Sequence, residues 1–240
     1  MHGPRRWQSP WQAAALFVLW AVTCGPAIGQ EDAEALSAAT VASEPVSARS
    51  VLESFVSGLD RFSADFEQVV LSVDGAVMEE GQGDIWLQTP DLFRWAYHGD
   101  FPELIIADGT TVWMYDEALE QVTVRDQQEL SGDSPLLVIM DLERLDERFE
   151  VTELGTVTGL HLLELTSRSV EAQFERLVLG FQDGTLSRLV LEDAFGMRTE
   201  LAFTAVVRNP DVPEGHFAFV PPEGVDVVGD LPPGAAPLQY

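Results

Sequence analysis

Apolar residues recur along this chain with two different periods, and the change between them falls near residue 60. Val51, Leu52, Phe55, Val56 and Leu59 share one face at helical spacing, and Ser50 with Glu53 is placed as a capping box. The spacing predicts one amphipathic helix over 50–60, whose apolar stripe must lie on something downstream. From Phe62 onward the period is two. Asp74-Gly75, Asp108-Gly109 and Asp183-Gly184 each separate two alternating runs, and such pairs supply the positive-φ residues of tight hairpin turns. Strands are predicted near 62–73, 76–88, 92–98, 103–107, 110–115 and 119–125. After a break they resume near 148–153, 160–166, 174–181, 185–192 and 198–207. In the run 175–181, Leu177, Leu179 and Phe181 face one way, and Arg176, Val178 and Gly180 the other. Hairpin follows hairpin with no crossover helix, which means a mainly β fold built on one curled antiparallel sheet.

Two stretches stand out from this regular pattern. The first, 81–95, is a strand, a proline corner and a second strand, with Trp86, Phe93 and Trp95 close together. Gly81-Gln82-Gly83 inside the first strand marks a bend or a close backbone approach. The second stretch, 131–146, has Ser134 at an N-cap position and Pro135 in the first turn, then Leu136 to Met140 all apolar. It predicts a short helix over 135–141, apolar on every side. Such a helix is either central in a core or covers an apolar hollow. Residues 30–47, rich in Ala, Ser and acid, read as a flexible leader; 48–228 form one β-domain, and 229–240 a disordered tail.

Charge narrows the partners. Forty acidic residues stand against 13 basic ones, all arginine, for a net charge of −27. Nucleic acid needs a basic face and is excluded as a partner. An acidic, lysine-free surface fits a saline habitat and fits arginine-biased coding equally well. The first 29 residues have the parts of a cleavable secretory signal: Arg5 and Arg6, an apolar run over 13–22, and Ala27-Ile28-Gly29 as the cut site. The run is too short to span a bilayer. Cutting after Gly29 places the mature chain outside the cytoplasm and discards Cys24, the only cysteine. Cys24 follows Ala21-Val22-Thr23, a poor context for lipid attachment, so a soluble exported form is expected.

Catalytic chemistry finds little support. His98, His161 and His216 are scattered over a strand end, a strand and a loop, and no HExxH, cysteine cluster or GxSxG elbow is present. The chain is therefore expected to be no enzyme, with neither cofactor nor metal. What remains is apolar surface. A closed small barrel fills its own interior, whereas an incompletely closed one leaves a cavity fit for an acyl chain. On composition alone a dense core under two helices is the better reading, because aromatic stripes more often fill cores than bind ligands.

The residues Phe62-Ser63-Ala64-Asp65-Phe66-Glu67-Gln68, Glu80-Gly81-Gln82-Gly83-Asp84-Ile85-Trp86 and Pro90-Asp91-Leu92-Phe93-Arg94-Trp95 resemble the LolA family of periplasmic outer-membrane lipoprotein carriers. Ile106-Ala107-Asp108-Gly109, Val112-Trp113-Met114-Tyr115, Glu120-Gln121-Val122, Ser134-Pro135-Leu136-Leu137, Phe217-Ala218-Phe219 and Pro222-Glu223-Gly224-Val225 follow in the family's order. The resemblance covers roughly residues 48–228 and implies an unclosed antiparallel β-barrel with a small α-helical lid. It implies a monomeric periplasmic chaperone that takes triacylated lipoproteins from an inner-membrane ABC transporter and hands them to an outer-membrane receptor. Phe93 then sits where the family has an aromatic that accepts and releases cargo. Trp95 lines the cavity, Leu136 and Ile139 contribute from the lid helix, and Phe66 and Trp86 complete the expected cargo-binding set. One position departs from the pattern: Thr89 stands where some members carry an arginine that holds the lid shut. Arg94 is near, but a strand points its side chain away from Phe93 and Trp95. The rival readings are another periplasmic lipid-binding or sensor module of the same architecture, a secreted carboxylate-based hydrolase, and a purely structural exported domain.

Overall fold

The structure, a computed structural model, describes residues 46–127, 139–169 and 174–229. The expected signal, nearly all of the expected leader, the tail beyond Gly229 and most of the expected 135–141 helix lie outside the described residues, Leu136 among them. The chain enters through helix α1 (Ala48–Val56) and then runs through six strands: β1 (Arg61–Leu71), β2 (Val77–Gln88), β3 (Leu92–His98), β4 (Glu103–Ala107), β5 (Thr111–Asp116) and β6 (Gln121–Asp126). A short helix α2 (Leu142–Arg148) precedes β7 (Phe149–Val157), β8 (Leu160–Ser167), β9 (Arg176–Gln182), β10 (Thr185–Glu192) and β11 (Arg198–Arg208). The last strand is β12 (Asp226–Gly229).

All twelve strands form one sheet in the order β12-β6-β5-β4-β3-β2-β1-β11-β10-β9-β8-β7. It is a curled, unclosed antiparallel sheet, with β7 and β12 as its two ends. Tight turns produce this topology where the sequence placed them. Gly75 and Gly109 take φ of +77° and +97°, and both Asp183 and Gly184 are left-handed, the signature of a two-residue hairpin turn matched to strand twist. β12 is the exception, since it pairs with β6 in parallel, Val227 opposite Val122.

Three local readings change. The α1 cap is Ser47, whose side chain accepts from Ser50 N–H at 3.1 Å, so the helix starts before the expected Ser50-Glu53 box. Glu53 instead pairs with Arg49 at 2.8 Å. The earlier start wins because the α1 N-terminus is also held from outside. Glu153 of β7 accepts from Ala48 N–H and Arg49 N–H at 2.9 and 2.8 Å, and a carboxylate there meets the positive end of the helix dipole. α2, whose apolar residues are only Leu142 and Leu145, and β12 were not expected from the pattern.

The sheet divides into halves covered on opposite faces. On the β7–β11 half, α1 lays Val51, Leu52, Phe55 and Val56 on the concave face, over Leu163, Leu165, Leu177, Leu179 and Leu189, all fully buried. Each such side chain contributes roughly 1.5–3 kcal/mol by leaving water. On the other half, the convex face is covered instead. Phe219 of the C-terminal segment lies 5.8 Å from Trp113 and 5.9 Å from Tyr115, and Trp113, Val122 and Val124 are buried beneath it.

Candidate functional site

The concave face of the second half carries side chains that neither α1 nor the C-terminal segment fully buries. Cross-strand register assigns them to one face. Phe93 pairs with Leu87 and Ala107, Trp95 with Ile85 and Ile105, and Ile105 with Met114. Phe93, Trp95 and Tyr97 are half-buried and pack against the edge of the main core. Phe66, only 2% exposed, forms the floor: its ring lies 5.0 Å from Trp95 and 5.2 Å from Tyr97. Ile139 is buried in the same cluster, with Met140 against it.

Glycine makes this clustering possible. A Cβ on Gly83 would stand 1.8 Å from the Ala96 carbonyl oxygen and 3.0 Å from Phe66 Cε1. β3 therefore approaches β2 more closely there than any side chain permits, and it brings Trp95 onto Phe66. At Gly81 the neighbour is the Tyr97 ring, 3.2 Å from the same hypothetical atom. The Tyr97 hydroxyl donates to Gln68 Oε1 at 2.9 Å, and burial pushes its phenol up to about 12, so it is neutral at physiological pH. This face offers hydrocarbon and ring surface, with Glu79 and Glu103 at its Tyr97 edge, which suits apolar chains and not anionic substrates.

The convex face gathers different chemistry. Trp86 pairs with Arg94 across the β2–β3 ladder, so both point away from Phe93. Trp86 Nε1 donates to Asp84 Oδ2 at 3.1 Å, Asp84 Oδ1 meets His98 Nε2 at 2.7 Å, and the His216 ring lies 4.6 Å from that of Trp86. Burial holds the His216 imidazole below its ordinary pKa, with Arg94 adding to the effect. Two of the three scattered histidines thus flank one tryptophan. His161 is elsewhere, with Nδ1 3.0 Å from Thr156 Oγ1. No grouping of three or more metal-ligating side chains occurs among the described residues.

Residues 57–220 match the family model described as outer membrane lipoprotein carrier protein LolA. The chain belongs to the LolA family. It is 40% identical over 185 residues to the outer-membrane lipoprotein carrier protein of Xanthomonas campestris pv. campestris (strain B100), covering 76% of this chain and 88% of that protein. With the carrier protein of Dechloromonas aromatica (strain RCB) it shares 34% over 179 residues, 75% and 86% of the two chains. Among solved structures, an uncharacterized conserved protein from Thermus thermophilus superposes with a TM-score of 0.50 at 15% identity, over 75% of this chain and 98% of that one. That last likeness is one of fold alone.

For this LolA-family chain the expected site residues separate into groups. Phe66, Phe93, Trp95 and Ile139 come together in one cluster. Trp86 does not join them; strand alternation puts it on the convex face under His216, a correction to its expected place. Tyr97, Ile105 and Met114 share the concave face and were not named from the sequence. The signal for Tyr97 was present in the period-two run from Phe93. Ile105 and Met114 needed the register of two further hairpins. Thr89 has a partner of its own: its N–H and its hydroxyl both donate to the Asp60 carbonyl, at 2.9 and 3.2 Å. The corner before β3 is thereby tied to the link between α1 and β1.

Proposed function

We propose that this chain is a periplasmic carrier that holds the acyl chains of lipoproteins against its concave face. It accepts them from an inner-membrane lipoprotein-releasing transporter and delivers them to an outer-membrane receptor, and it performs no covalent chemistry. The observation that carries this reading is the half-buried row Phe93, Trp95, Ile105 and Met114 on a face whose opposite side buries Trp113, Val122 and Val124. Membership of the LolA family supports it. Phe66 forms the floor of the surface, Phe93 and Trp95 its wall, and Ile139 its cover; Leu136, the other expected lid residue, lies outside the described residues.

Release sets the design. Each buried CH₂ gains about 0.8 kcal/mol, so complete burial of three long acyl chains would exceed about −20 kcal/mol, the practical ceiling of noncovalent affinity. A carrier that bound so tightly would never deliver. Here the aromatic rings already rest on the core. An entering chain replaces contacts rather than filling a vacant hole, and the net gain is correspondingly small. Thr89, bonded to the Asp60 carbonyl, does not supply the lid-holding contact of the family's arginine, so the closed state rests on other contacts here.

The test is loading of Phe93→Glu with a fluorescent triacyl lipopeptide. Phe93 is only half-buried, so the variant keeps its fold by circular dichroism, but a carboxylate in the acyl path abolishes loading. Wild-type loading by a folded variant would overturn the site.

A further inference from the structure

Four tight turns and the β8–β9 connection reach one end of the sheet, and the latter carries Arg168, whose Nε donates to the Phe149 carbonyl. β1, β3 and β5 run towards it, and Leu71 pairs with both Val77 and Arg198, which places the β10–β11 turn beside the β1–β2 turn. A Cβ on Gly196 would stand 3.2 Å from Val73 Cγ2, so those two turns touch. The exposed aromatics among the described residues are Phe101, in the β3–β4 turn at 82%, and Phe195, in the β10–β11 turn at 84%. Both belong to this end. Val73 and Leu119 are 72% and 70% exposed on the turns between and beside them. The opposite end, with the turns at 89–91, 108–110, 158–159 and 183–184, has no exposed aromatic among the described residues.

Such side chains gain nothing from the fold they sit on. Exposed apolar groups gathered at one end of a molecule mark an interaction surface. Phe101 also lines a cleft of about 780 Å³ between the β1–β2 and β3–β4 hairpins, whose other walls include Glu79, Glu80, Glu103 and Tyr97. Each of the four turns carries a carboxylate (Asp74, Asp100, Glu117, Asp193), and none contains an arginine. Arg198, at the start of β11, is 2.9 Å from Glu200, and His98 beside the cleft is engaged by Asp84.

That charge decides among occupants. An anionic membrane surface repels these turns. A second copy of this end brings the same carboxylates and repels them too. A protein face with apolar hollows and a basic rim is attracted on both counts. We propose that the β1–β2, β3–β4 and β10–β11 turns form a docking surface for such a basic-rimmed apolar face on a partner protein, with Phe101 and Phe195 as its two anchors. The tips are four strand spacings apart, about 19 Å along the sheet and less across its curl. That breadth matches a standard-sized interface. The assignment rests on the carrier reading for its purpose: it docks the carrier for transfer without occupying the concave face.

The experiment uses the mature chain and the double variant Phe101→Ser, Phe195→Ser, both sites being exposed enough to leave the fold intact. Binding is measured to proteoliposomes holding the transporter and, separately, to the purified receptor. Expected is a loss of about tenfold per phenylalanine for at least one of them. Wild-type binding weakens as salt rises. Loading of the fluorescent triacyl lipopeptide stays within about twofold, because neither residue belongs to the row Phe93, Trp95, Ile105 and Met114, although Phe101 shares its cleft with Tyr97. Unchanged binding to both partners overturns the proposal, as does wild-type binding to neither. Equal wild-type binding to protein-free phosphatidylcholine or phosphatidylglycerol vesicles assigns the tips to membrane instead. A wild-type dimer that the double variant dissolves assigns them to a second copy. If wild type fails to load the lipopeptide, the carrier reading fails whatever the tips do; if it loads normally and the tips change nothing, only the docking surface fails.

Discussion

Alanine at Gly83 and alanine at Gly81 are the same change in the same strand, yet they should have very different consequences. Neither glycine is left-handed, so the difference is one of space alone. At Gly81 the new Cβ meets the edge of the Tyr97 ring at 3.2 Å, a contact that a few tenths of an ångström of ring movement relieves. The cost is under about 1 kcal/mol. At Gly83 the obstacle is the Ala96 carbonyl oxygen at 1.8 Å, which is backbone and cannot rotate away. β3 must retreat by more than an ångström, so one or two ladder hydrogen bonds are lost, at about 1–3 kcal/mol for each group left unsatisfied in a partly buried setting. Phe66 Cε1, at 3.0 Å, must move as well. Together these give a destabilisation of about 2–4 kcal/mol, a large share of a typical total of about 5–15 kcal/mol. Urea unfolding of the two variants measures this directly. Gly83→Ala should also weaken lipopeptide loading in the folded fraction, because the strand that retreats carries Phe93 and Trp95. Unfolding free energies within about 0.5 kcal/mol of one another would refute the reasoning.

Further outcomes follow from other contacts. Glu153→Ala removes the acceptor for two α1 N–H groups and should cost about 1–2 kcal/mol in urea unfolding, with Glu153→Gln intermediate because it keeps an oxygen but not the charge. Asp108 would be raised by its burial, but Trp113 Nε1, the Thr111 and Thr110 N–H groups and the Thr110 hydroxyl donate to it and bring its pKa below the ordinary value. A depressed folded-state pKa means stability that is present above about pH 4 and lost as pH falls through the folded value. Asp108→Asn, which turns a donor towards Trp113, should therefore be destabilising at pH 7 and converge on wild type in acid unfolding curves. Arg94→Ala, on the convex face, should load lipopeptide as wild type does; a loss equal to that of Phe93→Glu would mean that Arg94 reaches the cargo side.

Strand positions were legible because alternation and Asp-Gly turns are local. Eleven of the twelve strands fall near their expected places for that reason. β12 was not legible, since a four-residue parallel pairing with β6 is decided by where the C-terminal segment docks, not by its own pattern. The α1 cap moved because a carboxylate 105 residues away competes with the local box. Period two says which residues share a face but not which face looks inward. Phe93 and Trp95 were therefore grouped rightly by parity, while Trp86, close in sequence and equally aromatic, went to the wrong side. Phe66 joined them through the register of Gly83, a relation between strands that composition does not contain.

The covering of opposite faces in the two halves explains how the fold keeps an apolar surface half-open. In the β7–β11 half the concave face must be buried, because α1 supplies the cover and the core lies there. In the β2–β6 half, Trp113, Val122 and Val124 are buried on the convex side beneath Phe219, with Trp86 under His216 further along. Those strands are anchored from outside, so their concave side chains are not needed to hold the sheet together. Phe93, Trp95, Ile105 and Met114 can then give up contacts to an incoming chain at little cost to the fold. If the convex cover is the anchor, Phe219→Ala should destabilise the fold by about 1.5–3 kcal/mol, since Phe219 is itself partly buried over Trp113 and Tyr115. Phe93→Ala, on the face proposed for cargo, would cost less than half of that.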